Sequence, residues 1–154
     1  MRRKQLHQIL LIAICLLVSL ASHSLQAATL KARVINVDSG EQIQIKTTDG
    51  RFRQVKLAGI QIPNHSKIWL ANARRHLAML LAGRMVTVDY QKLTAKGVIL
   101  GVVRHGGADV ALQMLKAGLA HVSDGDQLKP QTLKLYLNYQ SQARNKGLGL
   151  WRQY

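Results

Sequence analysis

A stretch in the first half of the chain does most to limit the possible fold. Asp49-Gly50 favours a tight turn, and polar and apolar residues then alternate before an apolar segment that Ile62-Pro63 closes. Because proline cannot donate to a strand ladder, residues 51–60 are predicted to form the second arm of a hairpin that enters a core and stops. The residues just past this stop, through Asn64, are expected on an outward-facing loop, where a rigid strand end can hold chemistry.

Other segments also have the pattern of β-strands. Strict alternation at Gln42-Ile43-Gln44-Ile45 predicts a half-buried strand, and the apolar run Val98–Val103 is typical of a strand covered on both faces. The five predicted strands are residues 30–37, 42–46, 51–60, 85–90 and 98–103.

Three helices are predicted from apolar residues at helical spacing. The first lies between a candidate cap at Ser66 and Gly83, the second runs from Asp109 to Gly118, and the third covers about residues 132–145. In the first helix the apolar stripe consists of Trp69, Ala73, Leu77 and Leu80. Five strands and three helices in this order predict an α+β fold, a small closed β-barrel of OB type with packed helices.

The N-terminal 27 residues have the pattern of a signal peptide. Arg2-Arg3-Lys4 precede an apolar run from Ile9 to Leu20, and small residues follow, so cleavage is expected after Ala27. A membrane anchor is the weaker alternative because 12 apolar residues are few for a bilayer. The prediction is an exported protein, periplasmic or extracellular, with one domain at residues 28–154 that contains no cysteine.

The charge of that domain points to an anionic partner. The whole chain has 22 Lys and Arg, and without the three leader cations 19 remain against 7 acidic residues, a net charge of +12. Nucleic acid, an anionic envelope polymer and an acidic membrane surface all fit such a charge. Composition alone does not choose among them.

Residues Val55–Asn64, Val-Lys-Leu-Ala-Gly-Ile-Gln-Ile-Pro-Asn, resemble the "RL-x-GIDAPE" segment of the staphylococcal nuclease (thermonuclease) family. Three further segments resemble a strand, a helix and the closing motif of that family in the same order: Gly83–Val88, Gly107–Ala120 and Tyr139–Trp151. The resemblance covers roughly residues 30–151. It implies the OB-type barrel with three helices.

The resemblance also implies a chemistry. The family hydrolyses phosphodiesters of single-stranded DNA and RNA with one calcium ion, which two carboxylates and a backbone carbonyl hold. A glutamate positions or deprotonates the attacking water, and two arginines neutralise charge on the phosphorus oxygens. Each role requires a particular kind of side chain.

Two positions of this chemistry keep a charge. Glu41, the only glutamate of the chain, stands in the turn Ser39–Gln42 where the family has its first metal carboxylate. It is either a calcium ligand or a solvated turn carboxylate. Lys56 stands for the first arginine and retains the charge without the bidentate fork. Strand alternation places it opposite the core, as a phosphate contact or as part of an ordinary exposed face.

The other positions have lost the required groups. Gln61 replaces the second metal carboxylate and Asn64 the general base, and neither amide takes a proton from water near neutral pH. Val98 replaces the second arginine. Lys92 and Lys96 lie in a basic loop nearby and are predicted, with Lys56, to contact nucleic acid.

Further candidates carry less weight. His65, His76, His105 and His121 lack metal-ligand spacing and are expected as dispersed surface residues. His121–Asp124 stands where family members have nucleotide-stacking aromatics, so that source of affinity is missing. Asp124-Gly-Asp126 is expected to be a loop turn, and Trp69 and Trp151 are expected in the core.

These observations predict an exported nuclease-fold domain that is catalytically impaired or inactive and binds nucleic acid or another polyanion. No cofactor is expected, and Ca²⁺ only if hydrolysis survives. One alternative is a calcium-dependent endonuclease for single-stranded DNA and RNA with an altered site. Another is an envelope protein-interaction module that retains the barrel as a scaffold.

Overall fold

The computed structural model describes residues 28–64, 66–123 and 128–153, with the backbone alone given for residues 91, 92 and 153. The predicted signal peptide, His65 and Asp124-Gly-Asp126 therefore lie outside the described residues. The strands are β1 Ala28–Val37, β2 Gln42–Thr47, β3 Phe52–Leu57, β4 Ile60–Gln61, β5 Met85–Leu93, β6 Ile99–His105, β7 Ala108–Asp109 and β8 His121–Val122. The helices are α1 Lys67–Leu81, α2 Val110–Lys116 and α3 Pro130–Asn145, followed by a 3₁₀ helix at Gly149–Gln153.

Five strands close into a mixed barrel, which confirms the predicted α+β, OB-type fold. Antiparallel pairs join β3 to β2, β2 to β1, β1 to β5 and β5 to β6, and a parallel pair between β3 and β6 closes the ring. Alternation determines the inner face, because Ile43 and Ile45 of β2 are fully buried while Gln44 between them is exposed. β7 adds two residues beside β6, and β4 pairs with β8 outside the barrel.

The three helices cover the core much as predicted. α1 buries Ala73, Leu77 and Leu81. Asp109 precedes the first residue of α2, where the helix was predicted to start, and caps it by accepting a hydrogen bond from the Leu112 amide. Ser66 stands at the predicted cap position of α1 but makes no side-chain cap bond. α3 begins at Pro130, two residues earlier than predicted, because proline suits the first turn where its missing N–H has no partner to lose. In the described residues no helix has the length and apolarity needed to cross a bilayer.

The segment predicted as one strand at residues 51–60 is in fact broken. β3 ends at Leu57, and Gly59 adopts a positive φ of 76° before β4 starts at Ile60. A side chain at position 59 would overlap Leu128 and press on Tyr136, so glycine is required there. The turn takes the chain out of the barrel and allows Ile60 to pair with Val122 of β8.

The core prediction was wrong for both tryptophans. Trp69 and Trp151 are half-buried and lie outside the buried core cluster. The Arg144 guanidinium lies over the Trp151 ring, with its Cζ 5.6 Å from the ring centroid. The His121 and Trp151 rings pack edge-on, with their centroids 6.0 Å apart. The large aromatic residue of the core is Tyr136, whose hydroxyl donates to the Asp109 carboxylate at 2.7 Å. Burial raises the pKa of this phenol, so it stays protonated as a donor.

Candidate functional site

The turn into β2 and the end of β3 bring Glu41 and Lys56 together. Gln42 and Lys56 are cross-strand partners, and the Leu57 amide donates to the Glu41 carbonyl at 2.9 Å. The side chains follow this backbone pairing, so that Lys56 Nζ lies 3.3 Å from Glu41 Oε1. The Ile62 amide donates to the other oxygen, Oε2, at 2.9 Å. Both carboxylate oxygens of Glu41 thus have a partner within the protein.

A glycine permits this geometry. Gly40 is buried against α1, and a Cβ at position 40 would lie 2.5 Å from the Cβ of Ala73. Only glycine allows the β2 turn to approach the helix so closely without displacing it. The Glu41 carboxylate is accordingly held close to the barrel, with 18% of its side chain exposed against 37% for Lys56.

The two amide positions lie on the segment that Glu41 anchors. Gln61 is exposed on β4 opposite His121, and Asn64 is exposed just after the buried Pro63. The structure therefore gathers four predicted residues, Glu41, Lys56, Gln61 and Asn64, around one end of β2 and β3. The amide of Ile62 also belongs to this group. The sequence did not indicate this amide, because its direction toward Glu41 depends on the turn at residues 58 and 59.

The remaining predicted residues lie on β5 and in the β5–β6 turn, next to the strand β6 that pairs with β3. Val98 is half-buried and closes the β5–β6 turn, where its amide donates to Thr94 Oγ1 at 3.1 Å. Lys96 is exposed in the same turn. Because Ile99 pairs with Val55 in parallel, this turn lies beside the first half of β3, before the level of Lys56. The backbone of Lys92 pairs with Leu100, which also pairs with Lys56 from the other side of β6, and the side chain of Lys92 is outside the described part of the structure.

The residues around Glu41 do not fit the calcium site that the resemblance implies. Calcium requires several oxygen ligands, commonly more than one carboxylate. Here one carboxylate is present, and a lysine ammonium and a backbone amide already engage both of its oxygens. Residues 28–64, 66–123 and 128–153 contain no group of three or more His, Cys, Asp and Glu side chains placed to hold a metal. The cation beside Glu41 is Lys56.

The described histidines are dispersed, as predicted. His76 on α1 is partly buried, which lowers the pKa of its imidazole. His105 Nδ1 lies 3.0 Å from the Met85 carbonyl oxygen, and His121 packs on Trp151. Each contacts a different part of the fold, so the three form no common site.

Comparison with known proteins agrees with the fold. The sequence model described as staphylococcal nuclease homologue matches residues 31–153. The chain is 30% identical over 125 residues to an uncharacterized endonuclease of Escherichia coli, covering 80% of this chain and 78% of that protein. It is also 26% identical over 119 residues to an uncharacterized endonuclease of Haemophilus influenzae, covering 77% of this chain. The matched region spans 65% of the Haemophilus protein.

Proposed function

The chain belongs to the staphylococcal nuclease homologue family, and on that premise we propose that it is a binding protein for nucleic acid whose hydrolytic activity is lost or strongly impaired. The observation that carries the proposal is the state of Glu41. Its carboxylate is engaged by Lys56 and by the Ile62 amide, and the neighbouring family positions hold the amides Gln61 and Asn64.

The chemistry supports the loss of hydrolysis. An asparagine at position 64 has no basic group to take a proton from the attacking water. A valine at position 98 supplies no charge to a phosphorane-like transition state. Loss of a general base and loss of transition-state charge stabilisation each lower a rate by roughly 10²-fold or more.

The charge of the domain supports retention of binding. Residues 28–154 carry 19 Lys and Arg against 7 acidic residues. Three ion pairs occur within the described residues, so most of the cations there are available to a polyanion. Such a surface attracts the phosphates of nucleic acid, and an anionic envelope polymer is the second ligand class that it fits.

A competing function is an endonuclease with an altered site, which the names of the two relatives favour. In that case Glu41 would leave Lys56 and bind a metal together with backbone carbonyls. Calcium would then be required, and substitution of Glu41 would abolish cleavage.

The deciding experiment incubates the purified protein with labelled single-stranded DNA and RNA in calcium, in manganese and in chelator. A Glu41→Ala variant prepared identically controls for traces of host nuclease. We expect no cleavage above this control. We also expect binding that weakens steeply between low and physiological salt.

Two results would contradict the proposal. Metal-dependent cleavage that disappears in Glu41→Ala would establish the altered endonuclease. Binding of nucleic acid that does not change with salt, or no binding at all, would instead favour a protein-interaction module.

We further propose that residues 1–27 direct export to the periplasm or the medium and are then removed. The basic start, the apolar run and the small residues before Ala28 support this. N-terminal sequencing of the protein recovered outside the cytoplasm should begin at Ala28. A cytoplasmic protein that retains residues 2–27 would contradict export.

A further inference from the structure

A row of side chains crosses four strands on the outer face of the barrel, away from Glu41. Arg33 of β1 is the direct partner of Met85 on β5 and of Lys46 on β2, and Lys46 is the direct partner of Phe52 on β3. All four side chains are exposed. We call Met85, Arg33, Lys46 and Phe52 the outer row.

Phe52 is the exposed aromatic residue of the outer row. It is the only phenylalanine of the chain, and 63% of its surface is exposed on an otherwise polar strand end. Lys46 Nζ lies 5.5 Å from the centroid of its ring, so a cation flanks the ring and leaves part of the aromatic surface open. An accessible ring beside cations is the arrangement on which nucleic-acid bases stack in proteins that bind single strands.

The two cations of the outer row are uncompensated. Arg33 and Lys46 are direct cross-strand partners. Arg33 Nη1 donates to the Gly83 carbonyl at 2.8 Å, and Lys46 Nζ lies over the Phe52 ring. Neither belongs to an ion pair in the described part of the chain. The nearest acid along the hairpin, Asp49, is paired with Arg51 at 3.0 Å. A bound phosphate would supply the negative charge that these two cations lack.

More cations lie around the same end of the barrel. Lys96 is exposed in the β5–β6 turn, which the parallel pairing of β3 with β6 places beside the start of β3. Arg53 is exposed next to Phe52. The ring is therefore flanked by positive charge on the β2 side and on the β6 side.

We propose that the outer row is the surface on which this protein binds single-stranded nucleic acid, with a base stacked on Phe52 and neighbouring phosphates at Arg33 and Lys46. The inference rests on the proposed function and assigns a surface to the proposed binding. The outer row is separate from Glu41, because Phe52 precedes Lys56 by four residues, about 13 Å along a strand at about 3.3 Å per residue. An unpaired base is required, since paired bases in a duplex do not expose their faces.

The test compares three variants of the purified protein with a matched control. Phe52→Leu keeps an apolar side chain and removes the ring, and Phe52→Trp restores a ring. Arg33→Gln with Lys46→Gln removes two charges from the outer row. Lys134→Gln with Lys146→Gln removes two exposed charges at α3, which packs on α2. Thermal unfolding of each variant confirms that it is folded.

Binding is measured with single-stranded DNA and RNA of one length and with an abasic strand of the same length. Phe52→Leu should weaken binding to the normal strands about five- to hundredfold, leave the abasic strand unaffected, and be rescued by Phe52→Trp. The Arg33 and Lys46 double variant should weaken binding to every strand and reduce the salt slope by about 1.4. The α3 control should retain most of the affinity.

The outcomes separate this inference from the proposed function. If the unaltered protein binds no strand, both fail. If it binds in a salt-dependent manner while Phe52→Leu and the Arg33 and Lys46 double variant behave like the α3 control, the outer row is refuted and the proposed function stands. If Phe52→Leu weakens the abasic strand equally, base stacking is refuted.

Discussion

The two ends of the β2–β3 hairpin differ in whether their charged side chains have partners within the protein. At one end Lys56 neutralises Glu41, whose second oxygen accepts the Ile62 amide, so the charged groups are satisfied within the protein. At the other end Arg33 and Lys46 are cross-strand partners beside an exposed ring, and neither belongs to an ion pair in the described residues. The comparison teaches that contacts within the protein neutralise the Glu41 end, whereas Arg33 and Lys46 at the other end have no acidic partner in the described part of the chain.

Gly40→Ala should have the largest effect on stability, because it disturbs the end of the hairpin that holds Glu41. The added methyl group would meet the Ala73 Cβ at 2.5 Å, so the turn or α1 must shift. We expect a loss of about 1–3 kcal/mol in the free energy of unfolding, the usual range for overpacking. Urea denaturation measures it, with Thr48→Ala at an exposed turn position as the control. A variant as stable as the unaltered protein would show that the turn does not depend on this close approach.

Glu41→Ala should have a smaller effect. It removes the ion pair to Lys56 and leaves the Ile62 amide without its acceptor. Because Lys56 is 37% exposed, solvent screens much of the ion pair, and we expect a total loss of about 1–2 kcal/mol. Glu41→Gln keeps an acceptor for Ile62 and should lose less. Equal losses in the two variants would mean that the amide contact contributes nothing.

Phe52→Leu should leave the free energy of unfolding unchanged within about 0.5 kcal/mol, because the Phe52 side chain is mostly exposed. The same denaturation experiment applies. A loss comparable to that of Glu41→Ala would make Phe52 a structural residue and remove the contrast between the two ends.

Calcium should have the smallest effect. Ten millimolar calcium is expected to leave the thermal unfolding midpoint within about 1 °C of its value in chelator, since a ligand stabilises only when present near or above its Kd. If calcium raises the unfolding midpoint by several degrees and Glu41→Ala abolishes this rise, Glu41 is a metal ligand.

Much of the fold was predictable because its signals are local. Period-two alternation identified β2 from Gln42 onward, and helical spacing with Asp109 as a cap identified α2. The break after Leu57 was not predicted, because Gly59 is required by side chains of the distant Leu128 and Tyr136. Trp69 and Trp151 were misplaced for a similar reason, since an apolar stripe does not tell how far the core extends beneath it.

The sequence by itself determined the kinds of groups available: a barrel-forming order of elements, a large positive charge, and amides at positions 61 and 64, where the family resemblance places acids. Those are properties of single residues and of neighbours along the chain. Only the tertiary structure decided that the Ile62 amide meets Glu41 and that Arg33, Lys46 and Phe52 form one row. The physical reason is strand register, which hydrogen bonds between distant segments determine and which a shift of one residue would invert.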